Sequence, residues 1–428
     1  MSNLLDKIVQ SQKSGQLRGI ASICSAHPWV LRASMQAEGT LLIETTCNQV
    51  NQFGGYTGMT PQAFATYIHE LAIENNFPNH HLILGGDHLG PHVWQKEPIS
   101  SAMSKAEDLV RSYVQAGYTK IHIDTSMKLG EDDPLHPLEL EIIAQRTAQL
   151  VKIAETTAAS LGREEQLCYV IGSEVPTPGG ATTPDQGVHV TDVNDVSQML
   201  ERIQAEFISQ HLASAWKRII ALVVQPGVEF GNDFVHDYLP ERAQALVHFI
   251  ETTPLVYEVH STDYQTAESL RNLVRDHFAI LKVGPSLTFA FRQAVFSLAS
   301  IENELCSSTS QSRLVDKLDQ AMQRDPSHWI DHYHGSPQEL ALSRKYSLSD
   351  RVRYYWTQPE VQAAFNTLLA NLHDVSIPLS LVSQYFSHLY LAIRQSQMSN
   401  SAESLILGSI KTVLKDYQQA CSSDVTIN

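Results

Sequence analysis

The sequence predicts an α/β protein, a (β/α)8 barrel carrying a helical extension at its C-terminal end. Eight short apolar runs rich in β-branched residues recur from residue 19 onward, and amphipathic stretches separate them. The first run is followed by Ser25-Ala26-His27-Pro28 and not by a GxGxxG turn. An open, doubly wound sheet is favoured by that glycine turn, whereas eight βα units in series close into a parallel barrel.

The expected strands are 19–27, 40–49, 81–91, 120–126, 168–176, 219–227, 255–263 and 279–287. A barrel strand is covered by helices outside and by packed side chains inside, so both of its faces should be apolar. The expected helices are 61–75, 101–116, 137–160, 194–216, 239–251 and 264–276, and Ser, Thr, Asp or Pro often marks their starts. Helical patterning continues through 289–305 and 312–323, followed by a His- and Gly-rich loop at 331–337. The remainder is mostly helical, with stops near Pro359 and Pro378. Residues 1–306 are therefore assigned to the barrel and 307–428 to a helical extension packed on it. Within the extension, 346–356 mixes arginines with aromatics. That segment either anchors the extension or brings Arg351 or Arg353 over the barrel mouth to hold an anionic group.

A chain of 428 residues accommodates one barrel and an appendage. The net charge of −16 argues against a nucleic-acid or anionic-membrane surface, yet permits a locally positive pocket. Residues 1–16 lack the apolar core of a secretory signal, and no stretch is long and apolar enough to cross a bilayer. The five cysteines are scattered and form no CxxC, which fits reduced thiols in a cytoplasm.

Leu82-Ile83-Leu84-Gly85-Gly86-Asp87-His88-Leu89-Gly90-Pro91 is the most informative segment. An apolar strand ends there in a carboxylate beside an imidazole, and charge removed from water must be paired, protonated or metal-bound. Other expected strands also end in polar groups: Glu44, Thr46, Asn48 and Gln49; His122 and Asp124; Glu174; Gln225 and then Glu229; Glu258, His260, Ser261 and Asp263; and Lys282. Strand parity places Leu84, Gly86 and His88 on one face, and likewise Val170, Gly172 and Glu174, and Val256, Glu258 and His260.

If the polar positions face inward, His88, Asp124, Glu174, Gln225 and His260 converge. Of these, His88, Glu174, Gln225 and His260 form a candidate ligand set for a divalent metal, zinc first, with manganese, nickel or cobalt as alternatives. Asp87, Asp124 and Glu174 are the candidate proton-transfer groups. Asn48, Gln49, Ser261, Asp263, Lys282, Gly284 and Arg351 are the candidate substrate contacts. Lys282-Val283-Gly284-Pro285-Ser286 follows the eighth strand, where barrels often bind phosphate at loop amides and a helix start. A Schiff-base role for Lys282 is the weaker alternative. Each residue also has a plainer reading: Glu174 and Asp124 as turn caps, Gln225 as a strand-end hydrogen bonder, and His122 and Glu258 as deeper groups that satisfy one another.

Several of these motifs, taken together, resemble the GatZ/KbaZ family, the Z subunits of class II D-tagatose-1,6-bisphosphate aldolase. They are Cys24-Ser25-Ala26-His27-Pro28, Asn48 to Met59, Gly85 to Pro91, Val224 to Phe230, His260-Ser261-Thr262-Asp263-Tyr264-Gln265 and Leu281-Lys282-Val283-Gly284-Pro285. The resemblance implies a barrel related to class II aldolases, acting in galactitol or N-acetylgalactosamine catabolism through tagatose phosphates. It also implies an accessory role, in an oligomer that supports the stability and activity of a catalytic Y subunit. Some relatives are described instead as metal-dependent ketohexose 4-epimerases acting on fructose and tagatose. In catalytic class II aldolases a proton-transferring Asp and a zinc-binding His are similar to Asp87 and His88, and a further zinc His is similar to His260. Gln225 stands where those enzymes carry another zinc histidine, and Ser261-Thr262-Asp263-Tyr264 replaces their glycine-rich phosphate loop. Both departures weigh against bisphosphate aldolase activity by this chain alone. The residues offer no support for a kinase: neither a GxxxxGK[ST] loop nor a protein-kinase motif set is present.

Overall fold

A computed structural model describes residues 4–37, 39–172 and 188–422. The first six barrel strands are β1 (Ile20–Ile23), β2 (Leu41–Thr46), β3 (Leu82–Leu89), β4 (Lys120–Ile123), β5 (Cys168–Ile171) and β6 (Ile219–Val223). A short antiparallel ribbon of β7 (Glu229–Phe230) and β8 (Val235–His236) precedes the last two, β9 (Val256–Val259) and β10 (Phe278–Val283). The eight barrel strands are all parallel and close in chain order, β10 pairing with β1. Each expected strand is present and ends earlier than its composition suggests. Among the described residues, polar groups at or just beyond these ends form the mouth.

Two layers of apolar packing surround the sheet. Outward side chains such as Ile43, Leu84, Ile121, Ile123 and Leu281 pack under the helices. Inward ones, including Leu42, Ile83, Val170, Val256 and Ile280, fill the lower barrel. The helix Leu4–Lys13, absent from the sequence-based expectations, closes that lower end. Its Leu5, Ile8 and Val9 share one face and join the inner cluster. Gln12 Nε2 and Lys13 Nζ donate to the carbonyls of Val274 and Ile250, tying this helix to the helices Ala267–Arg275 and Pro240–Glu251. A helix over Pro28–Ser34, also unanticipated, follows β1. The expected helix 194–216 is broken into Val193–Ser209 and Ala213–Trp216, with His211 between them at φ +61°. Among the described residues no helix is long and apolar enough to cross a membrane.

The C-terminal helices share the barrel's outer hydrophobic layer. The helix Ala402–Cys421 packs against Pro28–Ser34, Ala267–Arg275 and Pro285–Leu305, burying Leu405, Ile406, Ile410 and Leu414. Such side chains each contribute about 1.5–3 kcal/mol when taken out of water. A buried ion pair fixes the segment that reaches the mouth. Arg292 Nε donates to Asp350 Oδ1 at 2.9 Å, Thr288 Oγ1 donates to Asp350 Oδ2 at 2.6 Å, and the guanidinium lies over Phe289. Asp350 adopts φ +46° and starts the 3-10 turn Arg351–Tyr355.

Asp350→Ala leaves Arg292 charged, buried and without its counter-ion. It should destabilise the fold by about 3–5 kcal/mol in urea titrations, and a loss below ~1 kcal/mol would show that the pair does not clamp the extension.

Candidate functional site

Inward parity selects the charged layer above the apolar one. Glu44, Gly85, Lys120 and Glu258 lie at related heights on β2, β3, β4 and β9, with Glu44 paired in register to Gly85 and Gly85 to Lys120. A Cβ on Gly85 would stand 2.7 Å from Glu44 Cγ, so the glycine gives the Glu44 side chain room to cross the barrel. Lys120, fully buried, places Nζ 2.7 Å from Glu44 Oε1 and 2.6 Å from Glu258 Oε2. Lys282 Nζ pairs with Asp87 Oδ1 and stands 3.4 Å from Glu44 Oε2. Burial alone would raise buried carboxyls and lower buried amines, but the pairing outweighs it. Asp87, beside His88 and Lys282, and Glu258, beside Lys120 and Lys282, are held well below the usual carboxylate range. Lys282 is held well above the usual amine range, chiefly by Asp87, against the effect of burial. The neutral amine that a Schiff base requires is therefore disfavoured.

The imidazoles sit on this layer. On β3 the inward residues are Ile83, Gly85 and Asp87, and not the expected Leu84 and Gly86. A Cβ on Gly86 would meet the outer side chains of Leu89 and Tyr113. His88 nevertheless joins Asp87, because the β3–β4 pairing shifts register between Gly86 and Leu89 and His88 adopts φ +48°. A bulge with a left-handed non-glycine residue re-aims one side chain, a form of local strain that clusters at functional sites.

Each of three histidines meets a carboxylate through one ring nitrogen. His88 Nδ1 is 3.1 Å from Asp124 Oδ2, His122 Nδ1 is 2.8 Å from Asp87 Oδ1, and His260 Nε2 is 3.1 Å from Glu258 Oε1. Among the described residues His122 Nε2 is buried without a hydrogen-bond partner, and His88 Nε2 stands 3.6 Å from Asp87 Oδ2. The ring centroids lie 4.9 to 5.6 Å apart. One potential ligand atom from each of Asp87, His88, His122 and His260 lies within 4.8 Å of the others, so these four could hold a metal ion. Carboxylates that orient imidazoles by their second nitrogen are the usual outer partners of metal-binding histidines. With neutral imidazoles, the buried Lys120 and Lys282 leave two negative charges uncompensated on Glu44, Asp87, Asp124 and Glu258. Burial opposes protonation of His88, yet Asp87 and Asp124 raise it above its ordinary value. Burial and nearby Lys282 push His260 down to about 3. The donor set and its charge fit a divalent cation.

The expected ligand set is revised by these positions. His122, anticipated as a deeper group paired with Glu258, stands 4.0 Å from Glu258 Oε1 and joins the cluster through Asp87. Gln225 is not in the cluster. Its Oε1 accepts from the Gly227 and Val228 amides, which the Pro226-Gly227 turn leaves without a ladder partner. Glu174 lies outside the described residues. Asp124 combines both of its anticipated roles: Oδ1 accepts from Ser126 N and Oγ, while Oδ2 meets His88.

A cavity of about 670 Å³ opens above the cluster. Asn48, Gln49, Asp87, His88, Asp124, His260, Ser261, Asp263, Lys282 and Gly284 line it. Arg351 does not. It is buried in the extension and donates from Nη1 to the His328 carbonyl, while Arg353, together with Tyr354 and Trp356, forms part of the cavity wall. The expected phosphate position after β10 is also changed. Asp263 Oδ1 accepts from the amides of Gly284, at 3.0 Å, and Ser286, at 2.8 Å, and so occupies the start of the helix Pro285–Leu305 with a built-in carboxylate. Lys120 was not anticipated as a site residue. Its inward parity with His122 and Asp124 was the available signal, but a lysine opening a strand reads as a solvent-facing end.

Residues 5–422 match the family described as D-tagatose-1,6-bisphosphate aldolase subunit GatZ/KbaZ-like. The chain is 46% identical over 421 residues to the D-tagatose-1,6-bisphosphate aldolase subunit GatZ of Klebsiella pneumoniae subsp. pneumoniae, covering 97% of this chain and 99% of that protein. It is 45% identical over 425 residues to the subunit of the same name in Salmonella gallinarum, covering 98% and 100%. It is also similar to the crystal structure of a probable tagatose 6 phosphate kinase from Sinorhizobium meliloti 1021, with a TM-score of 0.87 at 41% identity, covering 94% of this chain and 100% of that one.

Lys120→Met removes the cation between Glu44 and Glu258 and should cost about 3–5 kcal/mol in denaturant titrations. Unchanged stability would show that the two carboxylates are not held by this lysine.

Proposed function

The chain belongs to the GatZ/KbaZ-like family, and from that membership we propose that it acts as the Z subunit of a D-tagatose-1,6-bisphosphate aldolase. In this role it steadies a catalytic Y subunit and sustains its full activity in the breakdown of galactitol or N-acetylgalactosamine through tagatose 6-phosphate. The observation that carries the reading is the length of the match. Relatives bearing that name align over 97% to 98% of this chain and 99% to 100% of their own, so the likeness runs the length of both. A cytoplasmic location fits a subunit of a sugar-phosphate enzyme whose cysteines are all free in the structure.

A second reading is favoured by one feature of the mouth. Paired carboxylates and imidazoles gather there among the described residues, and they face a roofed cavity that an accessory barrel would not need. In this reading the chain is itself a metal-dependent 4-epimerase of tagatose, fructose or their phosphates, cleaving and rejoining the C3–C4 bond. His88, His122 and His260, with Asp87 beside them, would hold a divalent ion, zinc first, which when bound supplies Lewis-acid polarisation of a carbonyl oxygen. Asp124 orients His88, and Glu258 orients His260. Asp87 keeps Oδ1 on Lys282 and His122, leaving Oδ2 beside His88 Nε2 as the oxygen placed to move a proton. Glu174 keeps the role of ligand or base that its sequence position suggests. Asn48, Gln49 and Ser261 line the cavity and in this reading would meet sugar hydroxyls.

The test is to purify the chain alone and with a Y subunit, measure bound metal, and assay both aldol cleavage and tagatose–fructose interconversion. The subunit reading expects aldolase activity to rise when the chain is added, with no turnover by the chain alone. Interconversion that is lost on chelation would replace it with the epimerase reading. Asp124→Ala should weaken metal affinity by about 10–100-fold through the loss of His88 orientation, while His88→Ala removes the ligand itself. A wild-type chain that binds no metal under zinc dialysis would remove the ion from either reading.

A further inference from the structure

We propose that the anionic group of the bound sugar is received by Arg353 in the cavity roof, and not by the helix start that follows β10. The inference rests on the ketohexose-phosphate reading only for the identity of the sugar. Three observations carry it.

The helix start is already taken. The Gly284 and Ser286 amides donate to Asp263 Oδ1, and the Asp263 carboxylate lines the same cavity. A phosphate placed there would lose its backbone donors and face a second anion. Asp87 and Asp124 line the same cavity, so three carboxylates stand on its described wall. Lys282, the ammonium group on that wall, is taken by Asp87 and Glu44.

Arg353 differs in having no carboxylate in salt-bridge contact among the described residues, although the protein carries a net charge of −16. Its partners are neutral. Nη1 donates to the carbonyls of Ser349 and Asp350, and Nη2 donates to the Tyr354 hydroxyl at 2.9 Å. Among the described residues, Nε and the second Nη2 proton remain for a ligand. A half-buried guanidinium with no carboxylate in direct contact, and with Asp263 and Asp350 near enough only to act on it through space, matches the bidentate demand of a phosphate group.

The fork is also held in place before any ligand arrives. Its plane lies over the Tyr354 ring at 4.6 Å, and Tyr354 packs edge-on against Tyr56 at 5.1 Å. Asp350, whose carbonyl accepts from Arg353, is itself fixed by Arg292 and Thr288. A donor set ordered in advance loses little freedom on binding.

The experiment is calorimetric titration of the full chain with inorganic phosphate, tagatose 6-phosphate and tagatose, in wild type, Arg353→Met and Arg353→Lys. Arg353→Met should weaken both phosphate and tagatose 6-phosphate by at least ~tenfold and leave tagatose within about twofold, with Arg353→Lys in between. Thermal melting of each variant reports whether the roof stays folded, and the ratio of ester to free-sugar affinity separates lost charge from general disruption. The proposal falls if Arg353→Met binds the phosphate ligands as wild type does, if free sugar weakens in parallel, or if the wild type binds no phosphate. Arg353-dependent phosphate binding without affinity for either sugar would support the roof site while overturning the ketohexose reading.

Discussion

Lys120 lies with its ammonium between Glu44 and Glu258, out of contact with water, and the arrangement of the barrel mouth follows from that charge. Carboxylates this deeply buried remain ionised only when cations stand beside them. Lys120 and Lys282 keep Glu258 and Asp87 as hydrogen-bond acceptors. Those acceptors in turn set His260 and His122, while Asp124 sets His88. Order therefore passes from lysine to carboxylate to imidazole, from the apolar floor toward the open end. The glycine at position 85 belongs to the same construction, because a larger residue would displace the Glu44 side chain.

Much of the scaffold was legible in the order of residues, because a strand buried on both faces shows as an apolar run and its helix shows as a separate amphipathic stretch. The strand ends were less legible. Polar residues that leave the ladder can keep β-like composition, so 19–27 read as strand where pairing stops at Ile23. Individual orientations failed where local geometry broke the alternation. His88 was expected to share a face with Leu84 and Gly86, and it reaches the mouth only through a bulge that parity cannot reveal. Gln225 carried two readings, ligand and strand-end hydrogen bonder, and the second holds, because the amides of the turn that follows it take its side-chain oxygen. Either arginine of the segment could reach the mouth and Arg351 was the expected substrate contact, but the 3-10 turn buries Arg351 in the extension and puts Arg353 on the cavity wall. The helix Leu4–Lys13 escaped notice because its apolar face is narrow and the remainder of it is polar.

The extension is part of the cavity as well as of the fold. Arg353, Tyr354, Trp356 and Thr357 line the cavity together with side chains contributed by β2, β3 and β10 and the loops after them, Tyr354 packing on Tyr56. Their position depends on contacts that cross from one region to the other: Arg292 to Asp350, Tyr264 to the Leu348 carbonyl, and the Asn232 side chain to Ser347 and Ser349. Barrel and extension share one apolar layer, so loosening either region disturbs the floor and the lid of the same chamber.

The Gly19 amide, at the entrance to β1, donates to the carbonyl of Cys421 at the end of the helix Ala402–Cys421. The first stave of the barrel is therefore completed by a residue about 400 positions later, a separation among the slowest kinds of contact to form. On a ribosome, the early strands must wait uncovered while the rest of the polypeptide emerges. A nascent fragment that stops short of Cys421 has neither its outer cladding nor the partner of its first stave, and competence waits for that helix to be made.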